Sequence, residues 1–245
     1  FTRPEARGAG VARVVLEAAC RAAAGRGMPL GLLFAGPVAW YEAQGWRAWT
    51  LTRHRAHGAR APGDAGRVRR FEPARDLAAL RDLHRATSSR LEGTVLRDDA
   101  LWTASLRNAG NPDEDLLLAG DARGALRAYG RATRLGGARL VTEWGLDPEP
   151  GAEEALANVL AALLPEGGVI PNLARAPASL PAALRAGGVG LEAVRESFTM
   201  LRALDPADLA ARLGVAPPAP DADSGAWLAR RLPPERWSFW PADRF

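Results

Sequence analysis

The sequence predicts a layered α/β (α+β) protein: two mixed-sheet units in tandem, the first truncated at its N-terminus, then a short C-terminal tail. Three observations predict this. The apolar pattern switches back and forth between the helical and the strand period, so the two element types alternate. The order helix, strand, helix, strand occurs twice, after "RGAG" at 7–10 and after the strand at 139–146. The 245 residues, 47% apolar and 24% charged, are enough to bury the core of one large domain or two ordinary ones.

Each element follows from its local pattern. Over 9–24, Val11, Val14, Val15, Ala18, Ala19 and Ala22 recur at helical spacing between Arg13, Glu17 and Arg21, and Gly25 and Gly27 stop the helix. "MPLGLLFAG" (28–36) is a short apolar run, read as a buried strand. "PVAWYEAQG" (37–45) has Pro at a first helical position and Gly at its end, so it is a short helix. "WRAWTLTRHR" (46–55) alternates and is rich in Trp and Thr, which predicts a strand. A Gly/Pro/Ala linker follows. The second unit opens with the strand "RVRRFEP", then helices at 74–91 and 98–110, then three strands, "DLLLAG", "ALRAYGRATRL" and "ARLVTEWGL", separated by Gly-marked turns. It continues with a helix at 151–165, the strand "GGVIPNLA", the short helix "ASLPAALRAGG" and the closing strand "ESFTMLRAL". The tail holds "DPADLAARLG", a Pro-rich break at 216–220 and a helix near 221–232. The expected segments are 1–56, a linker at 57–66, 67–204, and an extension at 205–245.

Composition excludes several classes. There is no apolar run of about 18 residues, so no membrane span is expected, and Arg13, Glu17 and Arg21 interrupt the one stretch resembling a signal core. A cytoplasmic location is expected. Cys20 is the only cysteine, which excludes a disulfide framework and a thiolate metal cluster; it is expected on a buried helix face. His54, His57 and His84 have no metal-site spacing, so no metal is expected. The net charge of +4 is carried entirely by Arg, scattered along the chain, and implies no specific nucleic-acid partner.

Chemistry points to residues 7–12. Arg7-Gly8-Ala9-Gly10-Val11-Ala12 leads straight into a helix, whose first turn has unpaired N–H groups and a positive dipole end. Gly8, Ala9, Gly10 and Ala12 carry no bulk, so an anion can approach the backbone, and Arg7 adds a guanidinium. The arrangement suits a pyrophosphate; the plainer alternative is an ordinary helix entry.

With the strand at 28–36 and the following Tyr41-Glu42-Ala43-Gln44-Gly45-Trp46, this stretch resembles the acyl-CoA loop and Tyr-x-x-x-Gly-aromatic element of the GCN5-related N-acetyltransferase (GNAT) superfamily. The resemblance implies two GNAT-like units and acetyl-CoA as co-substrate. It implies pyrophosphate on Arg7, Gly8, Ala9, Gly10, Val11 and Ala12, and pantetheine beside a strand ending at Phe1, Thr2 and Arg3. It makes Tyr41 the acid that protonates the departing thiolate, the alternative being an aromatic packed between helix and sheet. It implies direct acyl transfer to an amine acceptor in a ternary complex.

A narrower resemblance is to the enhanced-intracellular-survival type of tandem acetyltransferase. Gly93-Thr94-Val95-Leu96-Arg97 leading to Trp102 is similar to the pattern of its middle domain, and Met200-Leu201-Arg202-Ala203-Leu204-Asp205 to the exit from it. "GLDPEPGAEEAL" lacks the Arg and the Gly-x-Gly spacing and carries Glu149, so only the first unit is expected to bind the cofactor. That family ends in a further domain whose final carboxylate reaches the first active site. Here the residues after Asp205 are too few for such a domain, yet the chain ends on Phe245, whose carboxylate the resemblance makes a candidate base. The alternative is a tail merely anchored by Trp237, Phe239 and Trp240. Trp102 and Trp144 are read as core, or as walls of an acceptor cleft. The resemblance also implies a front half of the first unit preceding Phe1, and a homo-oligomer. Other readings are a non-catalytic acyl-CoA-binding or regulatory module, a basic interaction protein, and a small-thiol synthase of the mycothiol type.

Overall fold

Gly10 starts the first helix. Its backbone is left-handed (φ 76°), and α1 (Val11–Ala24) runs on from it with no side-chain cap. The structure, a computed structural model, describes residues 2–58, 68–108 and 114–243. The strands are β1 (Leu30–Phe34), β2 (Arg47–His57), β3 (Val68–Arg70), β4 (Asp115–Gly120), β5 (Leu126–Leu135), β6 (Ala138–Leu146), β7 (Gly168–Ile170) and β8 (Gly190–Ala203). The remaining helices are α2 (Val38–Glu42), α3 (Pro73–Ser88), α4 (Asp99–Asn108), α5 (Ala152–Leu163), α6 (Ser179–Ala186), α7 (Pro206–Leu213) and α8 (Ser224–Arg231). The twice-repeated order is therefore α1-β1-α2-β2 and α5-β7-α6-β8. No helix among the described residues is long and apolar enough to cross a membrane.

The chain packs as two compact units, Phe1–Leu51 with Glu196–Glu235, and Thr52–Arg195 with Arg236–Phe245. β2 and β8 each run from one unit into the other. The boundaries read at 56, 66 and 204 follow chain order, whereas packing follows strand pairing. β1 pairs with β8, Leu30 opposite Ala203, and β7 pairs with β2, Ile170 opposite His54. The expected linker lies, beyond Gly58, outside the described residues.

In the first unit the order is β1-β8-β2. Its core holds Cys20, Ala35, Trp46 and Met200, with Leu16, Leu33, Tyr41 and Leu204 packed against them. Glu17 on α1 takes a 2.6 Å hydrogen bond from Arg202 Nη1 on β8. Asp205 and Asp223 cap α7 and α8, each accepting two backbone N–H bonds at 2.8–3.1 Å. Each cap is worth about 1 kcal/mol. The sequence reading starts β8 at Glu196, but the strand begins at Gly190. Its first half has no fully buried residue to mark it in the apolar pattern, and Glu192 there meets Arg55 of β2 at 3.3 Å.

In the second unit β3 to β6 form an antiparallel meander, and β6 then pairs in parallel with β7 through Leu140 and Val169. α5 covers this sheet with Ala152, Leu156, Val159, Leu160 and Leu163, all 0–1% exposed. β7 is shorter than expected because Pro171 offers no N–H to continue the ladder. Matching the two left-handed capping glycines, Gly10 and Gly151, sets Val11 and Val15 of α1 beside Ala152 and Leu156 of α5. The two valines are 45% and 62% exposed.

Candidate functional site

The turn before α1 is open. A side-chain carbon placed on Gly8 (φ 83°) or Gly10 (φ 76°) would meet nothing within 4 Å. The first intrahelical bond runs from Val14 N–H to Gly10 C=O at 3.2 Å, so the amides of Val11, Ala12 and Arg13 lie outside the helical ladder. A cavity of about 300 Å³ sits on this turn, lined by Thr2, Arg7, Gly8, Gly10, Val11 and Ala12 among others. Arg13, Trp40 and Gln44 complete its wall. Two guanidiniums, a helix N-terminus and a half-exposed indole thus share one concave surface, with no Asp or Glu among the described residues that line it. This chemistry suits a phosphate group joined to an aromatic or apolar body.

Of the expected contacts, Thr2, Arg7, Gly8, Gly10, Val11 and Ala12 come together here. Ala9 is exposed within the same turn. Arg3 is the residue before the short helical turn Pro4–Ala6. Neither Thr2 nor Arg3 is in a strand, so the expected strand end gives way to that turn; Pro4, which has no N–H to offer a ladder, opens it. Phe1 lies outside the described residues, as does Phe245; the tail is described to Asp243, which is buried in the second unit. Tyr41 packs edge-on against Trp40 at 4.7 Å and Trp46 at 6.4 Å. Trp40 and Gln44, on either side of it along the chain, are the residues that reach the cavity; the sequence reading passes over both.

No protein-family model matches the sequence, and no characterised protein matches it in sequence. Solved structures do match the fold. A conserved protein of unknown function from Enterococcus faecalis aligns at TM-score 0.60 and 16% identity, covering 85% of this chain and 54% of its own. A GCN5-related N-acetyltransferase from Kribbella flavida aligns at 0.56 and 20%, covering 84% and 52%. The fold is that of the GCN5-related N-acetyltransferases. Eis1 from Mycobacterium abscessus aligns at 0.50 and 18%, covering 86% and 55%. The chain spans about half the length of these GNAT-fold proteins.

The second unit repeats this glycine-capped helix entry with different chemistry. Gly151 caps α5 in the same left-handed conformation (φ 85°) as Gly10 caps α1. The cavity on it, about 270 Å³, is lined by Asp121 and Glu154, and its one cation, Arg127, is already paired with Asp147 at 3.1 Å. Backbone N–H bonds from Arg123 and Ala125 hold the Asp121 carboxyl below the usual carboxylate range. Asp121 and Glu154 stand on this wall, and Glu149, which the sequence singles out, is not among its lining residues.

Sequence reading also missed a polar network buried in the second unit. Trp240 Nε1–H reaches Ser88 Oγ at 3.2 Å, and Ser88 Oγ lies 3.4 Å from His84 Nε2. Tyr129 gives its hydroxyl proton to Glu143 Oε1 at 2.6 Å, so the 3.0 Å bond between His84 Nδ1 and the Tyr129 oxygen is donated by His84. Arg97 bonds Glu143 on one side and Asp243 on the other, with its guanidinium carbon 4.8 Å from the centre of the Trp102 ring. Burial alone would raise Glu143, yet the Arg97 charge and the bonds from His84 and Arg97 hold it below the carboxylate range. Trp102 and Trp144 are both buried, Trp144 donating to Pro171 C=O at 2.8 Å. Gly93, in the pattern that resembles the family's middle domain, has φ 89°. A side chain there would fall 2.6 Å from the ring of Trp237 in the tail.

Proposed function

We propose that this chain is the cofactor-seating part of an acetyl-CoA-dependent N-acetyltransferase that passes an acetyl group directly to the amine of an acceptor. The observation that carries the reading is the open, cation-lined cavity on the Gly8–Gly10 turn of a GNAT fold. The amides of Val11, Ala12 and Arg13, with the guanidiniums of Arg7 and Arg13, would hold the pyrophosphate; Trp40 and Gln44 would bound the nucleotide side. Acetyl-CoA supplies an activated thioester when bound. Tyr41 would return a proton to the departing sulfur, and the acceptor amine must first lose its own proton to attack. The second unit would bind no cofactor, because Asp121 and Glu154 stand on its cavity wall. No metal is part of this proposal; a homo-oligomer in the cytoplasm is its expected setting.

One observation favours a second reading, a non-catalytic acyl-CoA-binding module: Tyr41, partly buried, packs against the core while its neighbours reach the cavity. Calorimetric titration with acetyl-CoA, against Arg7→Ala and Gly10→Glu, tests the site itself. Affinity unchanged in both variants overturns it. Thiol release across a panel of amines then separates enzyme from binder.

A further inference from the structure

A second cavity, in the second unit, has the opposite character to the one on α5. It is small, about 80 Å³, and its lining is Arg81, His84, Arg85, Leu96, Arg97 and Trp102. Three guanidiniums and an imidazole meet there, with no carboxylate among the lining residues. Trp102 and Leu96 supply the apolar part, Leu96 being 66% exposed.

The donors there are incompletely used. The Arg97 side chain is 1% exposed. Its Nε and Nη2 are taken by Asp243 and Glu143, while its Nη1 is buried with no hydrogen-bond partner among the described residues. Arg81 gives Nη1 to the exposed Asp99 at 2.8 Å, and its buried Nε likewise has no partner. A buried N–H left unmet is unfavourable, more so on a charged group, and the two arginines that carry these groups both line this cavity. Both His84 nitrogens are engaged within the buried network, so the unmet capacity lies on the two arginines. What they lack is an acceptor with several lone pairs. A cavity this size admits a few waters or one small oxyanion, and cationic walls favour the anion.

We propose that this cavity is a binding site for a small oxyanion head group, a carboxylate or a phosphate, held by Arg81 and Arg97 against the Trp102–Leu96 wall. The site is in the second unit and stands independently of the acyl-CoA reading.

Titrating the full chain with sodium acetate and with sodium phosphate, ionic strength held constant with chloride, tests it. Calorimetric heat and Trp fluorescence are the readouts, since Trp102 lies against Arg97. A saturable component is expected with acetate or phosphate that is weakened about tenfold or more in Arg81→Met, which removes one charge-assisted bond, and that persists in Arg7→Ala, where any phosphate held at the α1 turn is weakened instead. Acetate alone would assign a carboxylate ligand, phosphate alone a phosphate ligand. Because Arg97 is buried among carboxylates and its loss can unfold the unit, Arg85→Met, at the exposed rim, is the second variant; it is expected to weaken binding less than Arg81→Met. Absence of saturation by both anions, or equal affinity in wild type and Arg81→Met, overturns the proposal. A linear, unsaturable rise in stability with phosphate is general salt exclusion and counts against it.

Discussion

Arg97 Nε donates to Asp243 Oδ1 at 2.7 Å across 146 residues of chain, and both side chains are at most 3% exposed. The contact ties the C-terminal segment into the second unit. Burial pushes the Asp243 carboxyl up, and the Arg97 charge opposes that push. Removing one member of a buried ion pair costs about 3–5 kcal/mol, because the survivor keeps its desolvation penalty. Asp243→Ala is therefore expected to lower the stability of the second unit by about that amount, and Asp243→Asn, which keeps an acceptor oxygen, by distinctly less. Urea titrations followed by Trp fluorescence would show it. Equal stability of Asp243→Ala and wild type would mean the tail is not held by this bond.

Asp76, at the start of α3, sets a pH dependence. It accepts from Arg69 Nη1 at 2.6 Å, Arg69 Nη2 at 2.9 Å, Arg75 Nε at 2.9 Å and the Glu72 N–H at 2.9 Å. The Arg69 bond, then those of Arg75 and the Glu72 amide, hold its carboxyl far below the usual range against the opposing effect of burial. A depressed folded-state pKa gives stability that is present above the unfolded value, near 3.9, and lost as pH falls below it. Arg69 is 40% exposed, so solvent screening keeps the effect modest. Asp76→Asn is expected to cost about 1–2 kcal/mol at pH 7 and much less at about pH 2. A cost that does not shrink on acidification would show that the charge is not responsible.

Some elements are legible in local sequence and others are not. α1 and its glycine cap, the β1 run and the Tyr41–Trp46 element are local patterns, and the structure has each where spacing places it. The pairings of β8 with β1 and of β2 with β7 are not local: nothing within "ESFTMLRAL" says which strand it will lie beside. The buried network was hidden for the same reason, since His84, Arg97, Tyr129, Glu143 and Asp243 each look like a surface polar residue alone. One signal was present. Glu143 sits between Thr142 and Trp144 in a strand whose residues from Val141 to Leu146 are all buried, and a carboxylate there must find a cation.

The cofactor cavity gives an optical test. Trp40 is 39% exposed on its wall, whereas Trp46, Trp49, Trp102, Trp144 and Trp240 are at most 4% exposed. If the cavity seats the nucleotide end of acetyl-CoA, the ligand should quench mainly Trp40. Trp40→Phe is expected to lose most of the quench while keeping affinity within about tenfold, since an aromatic face is retained and stacking is worth about 1–3 kcal/mol. A full quench in Trp40→Phe would place the ligand elsewhere.

Tyr41 tests the chemistry apart from the binding. Its ring packs edge-on between Trp40 and Trp46 and against the core of the first unit, so a truncation would confuse packing with catalysis. Tyr41→Phe keeps the ring and removes only the hydroxyl. If that hydroxyl protonates the departing sulfur, turnover should fall by about 10²–10⁴-fold while acetyl-CoA affinity and melting temperature stay near wild type. The loss should ease with acyl donors whose thiols are more acidic, because a better leaving group needs less help from an acid. A rate unchanged by the substitution would leave Tyr41 as a packing residue and move the acid to another group. A rate loss accompanied by an equal loss of affinity would assign Tyr41 to holding the cofactor.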